Sequence, residues 1–318
     1  MARIFLLTLL FCSCGNAFQN VEIVARVAAR PTAELPPASL RVDASLVLIP
    51  VQVTTPLGGS VTDLSKTNFR VFEDNVEQPI THFAKDDAPL SIGLVFDASA
   101  SMHNKLHKSS EAAAAFFKTA NPEDEFFLVE FNERPRLAIP FTSDSSELYQ
   151  HIVHTRTMGR TSLLDAIHMA IQQMKKASNA RKAIVIVSDG GDNCSRYSVG
   201  QIKNALLESD VQIYAMGIFD LEDSPKKRPV EERNGPRLLK ELAELTGGRN
   251  YTVDDLNDLP QISERIGLEL RNQYLLGYSP LNLERDGKYR KIKLDLVPPA
   301  GMPELKAQYR KGYYAPVP

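Results

Sequence analysis

The sequence predicts a Rossmann-like, doubly wound α/β fold with a mostly parallel sheet, inserted in a small β-sandwich built from the N- and C-terminal segments. Three observations lead there. From about residue 88 to 271, short apolar runs alternate with stretches of helical periodicity, the pattern of strands and crossover helices. Those runs are nearly continuous, as strands covered on both faces must be. On either side the chain has only short strands. A few such strands at each end are marginal alone, so one joint sandwich is expected, and a domain whose ends lie close together tolerates an insertion.

The chain opens with Arg3, the apolar segment Ile4–Phe11 and the small-residue stretch Cys12–Ala17. A positive start, a short apolar core and a small-residue exit read as a secretory signal over residues 1–17, cleaved after Ala17. Cys14 at the end of that core leaves a lipid anchor as a second reading. Residues 18–44, with Pro31, Pro36 and Pro37, read as a leader. Residues 45–87 hold the first sandwich strands. Ser45–Thr54 puts Val47, Ile49, Val51 and Val53 on one face, with Pro50 marking an edge or a bulge. Phe69–Glu73 alternates up to the turn Asp74-Asn75, and Ile80–Ala84 is another short strand.

Residues 88–271 form the α/β part. Leu90–Phe96 is its first buried strand and Leu106–Thr119 the helix after it. Glu125–Phe131 and Arg136–Phe141 are close enough to form a hairpin. Helices are expected over Glu147–Thr155 and Leu163–Lys176, the second with apolar residues at Leu163, Leu164, Ile167, Ala170, Ile171 and Met174. Then come strand Lys182–Ser188, helix Val199–Leu207, strand Val211–Ile218 and a polar loop, Asp220–Pro236. Helix Leu238–Leu245, strand Tyr251–Val253 and helix Leu259–Leu270 complete this part. Residues 272–318 return to strands at Gln273–Tyr278, Tyr289–Leu296 and Lys306–Tyr313.

Composition narrows the function. With 43% hydrophobic and 24% charged residues, the chain of 318 is a soluble globular type. A net charge of −2 without a basic half argues against nucleic acid as the main partner. After the first apolar segment no stretch is long enough to span a bilayer. Cys12 and Cys14 lie in the signal, which leaves Cys194 as the one cysteine of the mature chain with no intramolecular disulfide partner, and it reads as a loop or small core residue.

The chemistry concentrates at strand ends. Leu90–Phe96 runs straight into Asp97-Ala98-Ser99-Ala100-Ser101, where Asp97, Ser99 and Ser101 alternate. A short extended turn there aims three oxygens at one point, and such hard donors suit Mg²⁺, Mn²⁺ or Ca²⁺. Asp189 ends a second apolar strand in Ser188-Asp189-Gly190, and Thr161 follows Gly159-Arg160 ahead of a helix. If the two strands are neighbours, both carboxylates sit at one sheet edge, where open α/β sheets bind ligands. The simpler readings are helix capping by Asp97, Ser99 and Ser101, and an ordinary turn at Asp189-Gly190. Each explains one piece, and neither explains all of them in order. His103 with His107, and His151 with His154, have zinc-like spacing but no third ligand, so exposed helix faces are expected. Lys226-Lys227-Arg228, balanced by Glu231-Glu232, reads as a solvated loop.

On these residues the chain resembles the von Willebrand factor type A domain family over about residues 88–270. The resemblance rests on D-x-S-x-S after a buried strand, G-x-T-S-L-x-D-A-I before a helix and S-D-G after another strand. The stretches N-F-R-V-F-E-D-N, D-D-A-P-L-S-I-G-L-V-F-D-A-S and R-K-G-Y-Y-A-P are similar to the bacterial secreted subgroup of that family. Ala100 departs from the family's usual glycine but contributes no ligand. The resemblance implies a metal-ion-dependent adhesion site. In it Ser99, Ser101 and Thr161 are hydroxyl ligands, and Asp97 and Asp189 act directly or through waters. Asp192 supports the shell around the metal or caps its own loop, and Asp165 orients the Thr161 loop.

The function implied is an exported, non-catalytic binding or adhesion module, secreted or held in the periplasm or cell envelope. It binds an acidic residue of a protein partner through a divalent cation, Mg²⁺ or else Mn²⁺ or Ca²⁺. The alternative is a haloacid-dehalogenase-like, Mg²⁺-dependent phosphatase with Asp97 as nucleophile and Asp189-Gly190-Gly191-Asp192 as the metal loop. Against it, Ser99 stands where that superfamily has a general-acid aspartate, and Ser101 is unexplained. A third reading makes the metal site vestigial and the sandwich the working surface.

Overall fold

The computed structural model describes residues 46–85, 87–219 and 230–317. The signal and lipid-anchor readings at Ala17 and Cys14, the leader, and Lys226–Arg228 lie outside the described residues. In chain order, β1 (Val47–Thr54), β2 (Phe69–Glu73), β3 (Val76–Gln78) and β4 (His82–Ala84) come first. The α/β part starts with β5 (Leu90–Asp97), α1 (Leu106–Phe117), β6 (Glu125–Phe131), β7 (Pro135–Thr142), α2 (Ser145–Val153) and α3 (Leu163–Met174). It continues with β8 (Arg181–Ser188), α4 (Val199–Glu208), β9 (Val211–Ile218), α5 (Val230–Thr246), β10 (Asn250–Val253) and α6 (Leu259–Arg271). The chain closes with β11 (Tyr274–Tyr278), β12 (Tyr289–Leu296), β13 (Lys306–Gln308) and β14 (Gly312–Tyr314).

The α/β part is a six-stranded sheet in the order β10-β9-β8-β5-β6-β7. All pairings are parallel except β6 with β7, the expected hairpin. β5 and β9 are buried at all eight positions, because helices cover both faces of the sheet. On one face Ala112, Ala113 and Phe116 of α1, Leu148 and Ile152 of α2, and Leu259, Ile266 and Leu270 of α6 meet Ile92, Leu94 and Phe96. On the other, α3, α4 and α5 meet Val95, Phe127, Ile184, Ile186 and Ile213. α3 buries Leu163, Leu164, Ile167, Ile171 and Met174, each stabilising by about 1.5–3 kcal/mol, so packing rather than propensity holds this helix. The chain leaves β5 for β6 and β7 on one side, then returns to β8 on the other. The carboxyl ends of β5 and β8 therefore flank the switch point, the crevice where such sheets take ligands.

The flanking strands do form a sandwich. One sheet runs β13-β1-β11-β4 and the other β14-β12-β2-β3, so each contains strands from both ends of the chain. Val47, Ile49, Val51 and Val53 are all buried against Phe69, Val71, Tyr274, Ile292 and Leu294. β13 reaches only Gln52–Thr54 of β1, so Pro50, whose ring lacks a donor, lies where that side of β1 is unpaired by β13. Asp74 and Asn75, with φ of 47° and 69°, make the tight turn between β2 and β3.

Two expectations are corrected. Lys306–Tyr313 is two strands, and the chain crosses from one sheet to the other between them. α5 starts at Val230 inside the expected loop and passes through Pro236, which removes one donor without ending the helix. The sandwich docks at the amino edge of the central sheet. Gln308 Nε2 donates to the Gly248 carbonyl at 2.6 Å, and Arg310 Nη1 meets Asp210 Oδ1 at 2.5 Å. Gly247, with φ of +78°, lies so close to the Tyr309–Arg310 backbone that a Cβ there would come within 2.4 Å of a backbone nitrogen.

Candidate metal centre

β5 delivers Asp97 at its last position, fully buried. Its Oδ1 accepts the Ser99 N–H at 2.9 Å, and its Oδ2 accepts the Ser188 hydroxyl at 2.5 Å. This short Asx-type turn carries the chain into a 3-10 segment, Ala100–Lys105, ahead of α1. Ser99 and Ser101 hydroxyls lie 3.1 Å apart, Ser99 buried and Ser101 exposed. The helix-capping reading is not what these side chains do: neither the 3-10 segment nor α1 has a side-chain cap hydrogen bond.

Asp189 follows β8 directly and is 5% exposed. Its Oδ1 accepts the Gly191 N–H at 3.1 Å, and Lys105 Nζ stands 3.8 Å from Oδ2. Gly190 between them has φ of +75°, and a Cβ there would strike the Gly235 backbone at 2.8 Å, so this turn needs glycine on both counts. Thr161 is also 5% exposed. Its backbone N–H donates to Asn193 Oδ1 at 3.0 Å, and its carbonyl accepts from Asn193 and Cys194 N–H at 3.0 and 3.2 Å. Among the described residues its hydroxyl makes no hydrogen bond, so Oγ1 is left for another partner.

Backbone bonds lock these loops together. Ala98 N–H donates to Phe131 at 2.7 Å, Met158 N–H to Ala98 at 2.9 Å, and Ala100 N–H to Gly159 at 3.1 Å. Ser162 donates to the Asn132 carbonyl from both N–H and hydroxyl, at 2.8 and 2.7 Å. The five residues singled out by sequence thus lie on mutually bonded loops at one sheet edge.

Electrostatics set this edge apart. Asp97 has its acid group pushed up to about 7, first by burial and next by the charge of Asp189. Two buried carboxylates repel one another here, and three hydroxyls stand on the same loops. Among the described residues no group of three or more His, Cys, Asp or Glu side chains is arranged to hold a metal. A hard divalent cation fits this donor set, oxygen throughout with a surplus of negative charge, and a soft metal does not.

The supporting residues act at one remove. Asp165 accepts the Arg196 and Tyr197 N–H groups at 2.8 and 3.1 Å, so it orders the segment after Cys194 rather than the Thr161 loop itself. Asp192 accepts the Ser195 hydroxyl at 2.5 Å, and burial raises its acid group. The histidines go separate ways: His103 meets Thr157, His107 meets Glu111, His151 meets Glu130, and His154 contacts the Gln150 carbonyl. Sequence reasoning missed Ser188, Asn193 and Lys105. Ser188 stood in S-D-G and Asn193 four residues after Asp189. Lys105 gave no signal beyond a lysine in an amphipathic stretch.

Comparison with known proteins finds similarity over part of the chain. Residues 92–191 match the family model described as "von Willebrand factor type A domain". An uncharacterised protein of Borreliella burgdorferi is 26% identical over 188 residues, 53% of this chain and 55% of that protein. Inter-alpha-trypsin inhibitor heavy chain H2 of Mesocricetus auratus is 26% identical over 167 residues, 47% of this chain and 18% of that protein. This chain therefore spans about half the length of the first relative and less than a fifth of the second. Among solved structures, von Willebrand factor type A from Catenulispora acidiphila aligns with 14% identity and a TM-score of 0.48, covering 78% of this chain and 75% of that one.

Proposed function

We propose, from the premise that residues 92–191 are a von Willebrand factor type A domain, that this chain is a non-catalytic binding module gripping a protein partner through a divalent cation. The cation is held by Asp97, Ser99, Ser101, Thr161 and Asp189, and the partner presents an acidic residue. The observation that carries this reading is the meeting of two buried carboxylates and three hydroxyls on mutually bonded loops at the switch point. When bound, the cation would supply Lewis acidity toward a partner's carboxylate. The chain's own residues do the rest. Ser188 and the Ser99 N–H fix the Asp97 carboxylate, Asn193 fixes the Thr161 backbone, and the Gly190 turn fixes Asp189.

The phosphatase reading fares worse on the same geometry. Both Asp97 oxygens accept hydrogen bonds in a fully buried carboxylate, and Ser99 stands where that superfamily has a general-acid aspartate. Export belongs to this proposal through the N-terminal segment alone. Among the described residues no helix is long and apolar enough to cross a membrane.

Calorimetric titration with Mg²⁺ and Mn²⁺, wild type against Asp97→Ala, tests the proposal. Binding by the wild type and its loss in the variant are expected. Absence of binding, or equal binding by both proteins, overturns it.

A further inference from the structure

Lys105 is 4% exposed, and a buried lysine needs a reason. It ends the 3-10 segment that follows the Asp97 turn, and its side chain reaches across the sheet edge. Its Nζ stands 3.8 Å from Asp189 Oδ2 and donates to the Ile218 carbonyl at 3.3 Å. The ammonium thus ties the loop after β5 to the ends of β8 and β9. Its position answers the charge problem of this edge. Asp97 and Asp189 are both out of water, and a fixed positive charge relieves part of their repulsion. A divalent cation would relieve the same repulsion. The two charges therefore draw on one pool of negative potential, and Lys105, held by its own burial and by Ile218, cannot leave when a cation arrives.

We propose that Lys105 is a built-in counter-cation of the Asp97–Asp189 site. It lowers the affinity for a divalent ion and leaves a bound ion with more uncompensated charge for an incoming carboxylate. This rests on the metal reading above and goes beyond it, since it sets how strongly the ion is held and how strongly the ion attracts. Even at an effective dielectric of about 20, an ammonium this close changes the affinity for a divalent ion by about tenfold or more.

The test is Mn²⁺ titration of the full chain by calorimetry, with thermal melts in chelator and in Mn²⁺. Lys105→Gln keeps a donor for Ile218 and removes the charge, and Lys105→Arg keeps the charge. Lys105→Gln is expected to bind Mn²⁺ about tenfold more tightly or better. It should also melt lower than wild type in chelator and gain more from Mn²⁺. Lys105→Arg is expected to bind as wild type does. A Lys105→Gln protein that folds only with Mn²⁺ supports the same inference, and one that fails to fold even then overturns it. Wild-type or weaker affinity in Lys105→Gln overturns the inference and leaves the metal site standing. No Mn²⁺ binding by wild type or by either variant overturns both.

Discussion

Two charged clusters are buried at opposite edges of the central sheet, and they are composed differently. At the amino edge Glu269, 1% exposed, gathers Arg249 Nη1 at 2.8 Å, the Tyr251 hydroxyl at 2.6 Å and Arg265 Nε at 3.4 Å on one oxygen. Arg249 continues to Gln308 of β13 at 3.0 Å. Two guanidiniums surround one carboxylate, and the cluster joins α6 to the sandwich. At the carboxyl edge Asp97 and Asp189 are both buried, Lys105 stands 3.8 Å from Asp189, and the Ser99 and Ser101 hydroxyls lie 3.1 Å apart. The first cluster answers its carboxylate with guanidiniums inside the fold. The second holds carboxylate charge and hydroxyl oxygens in reserve, which a protein built for stability alone would not do.

Each cluster can be broken to see whether that contrast holds. The largest effect belongs to Glu269→Ala, which leaves Arg249 facing a cavity at the domain junction. A loss of about 3–5 kcal/mol in urea unfolding is expected, with Mn²⁺ binding unchanged in the folded protein. Asp97→Asn does the reverse. Its amide fits beside Ser99 and Ser188 without adding a charge to the buried edge. Stability within about 1 kcal/mol of wild type, or above it, is expected, together with a drop in Mn²⁺ affinity. Equal destabilisation by the two substitutions would erase the distinction drawn here.

A third, half-buried cluster at the surface gives the smallest effect. Glu241 on α5 meets Lys203 and Arg237, each at 2.7 Å, and the Lys203 hydrogen bond first and then Arg237 hold its carboxyl down at about 2. Its folded value lies below its ordinary 4.5, so its contribution is present above 4.5 and is lost as pH falls from 4.5 to about 2. Glu241→Gln should flatten that part of the stability curve slightly, and added salt should shrink the difference, since exposed pairs are screened.

The carboxyl edge was legible in sequence because its parts are local. Asp97, Ser99 and Ser101 follow one apolar run and Asp189 another, and the alternation of strands and helices placed both runs in one sheet. The pairings that cross the molecule were not legible. Lys105 resembles any surface lysine until Asp189 is brought to it from 84 positions along the chain. Glu269 finds Arg249 and Gln308 only through the docking of the sandwich. Lys306–Tyr313 keeps its alternation through a change of sheet, because both sheets ask for the same inward and outward pattern. Pro236 read as the last residue of a polar loop, whereas a helix that already has neighbours can absorb the loss of one donor.

That change of sheet has a consequence for how the molecule survives damage. β13 and β14 are the outermost strands of the two sandwich sheets, one guarding each. A single proteolytic cut after Leu305 therefore frees two selvedges at once, and rows of unpaired backbone groups on both layers become templates for self-association. Both strands follow the α/β part in chain order, so until they are made that part carries an unhemmed sandwich, open to pairing with its own copies.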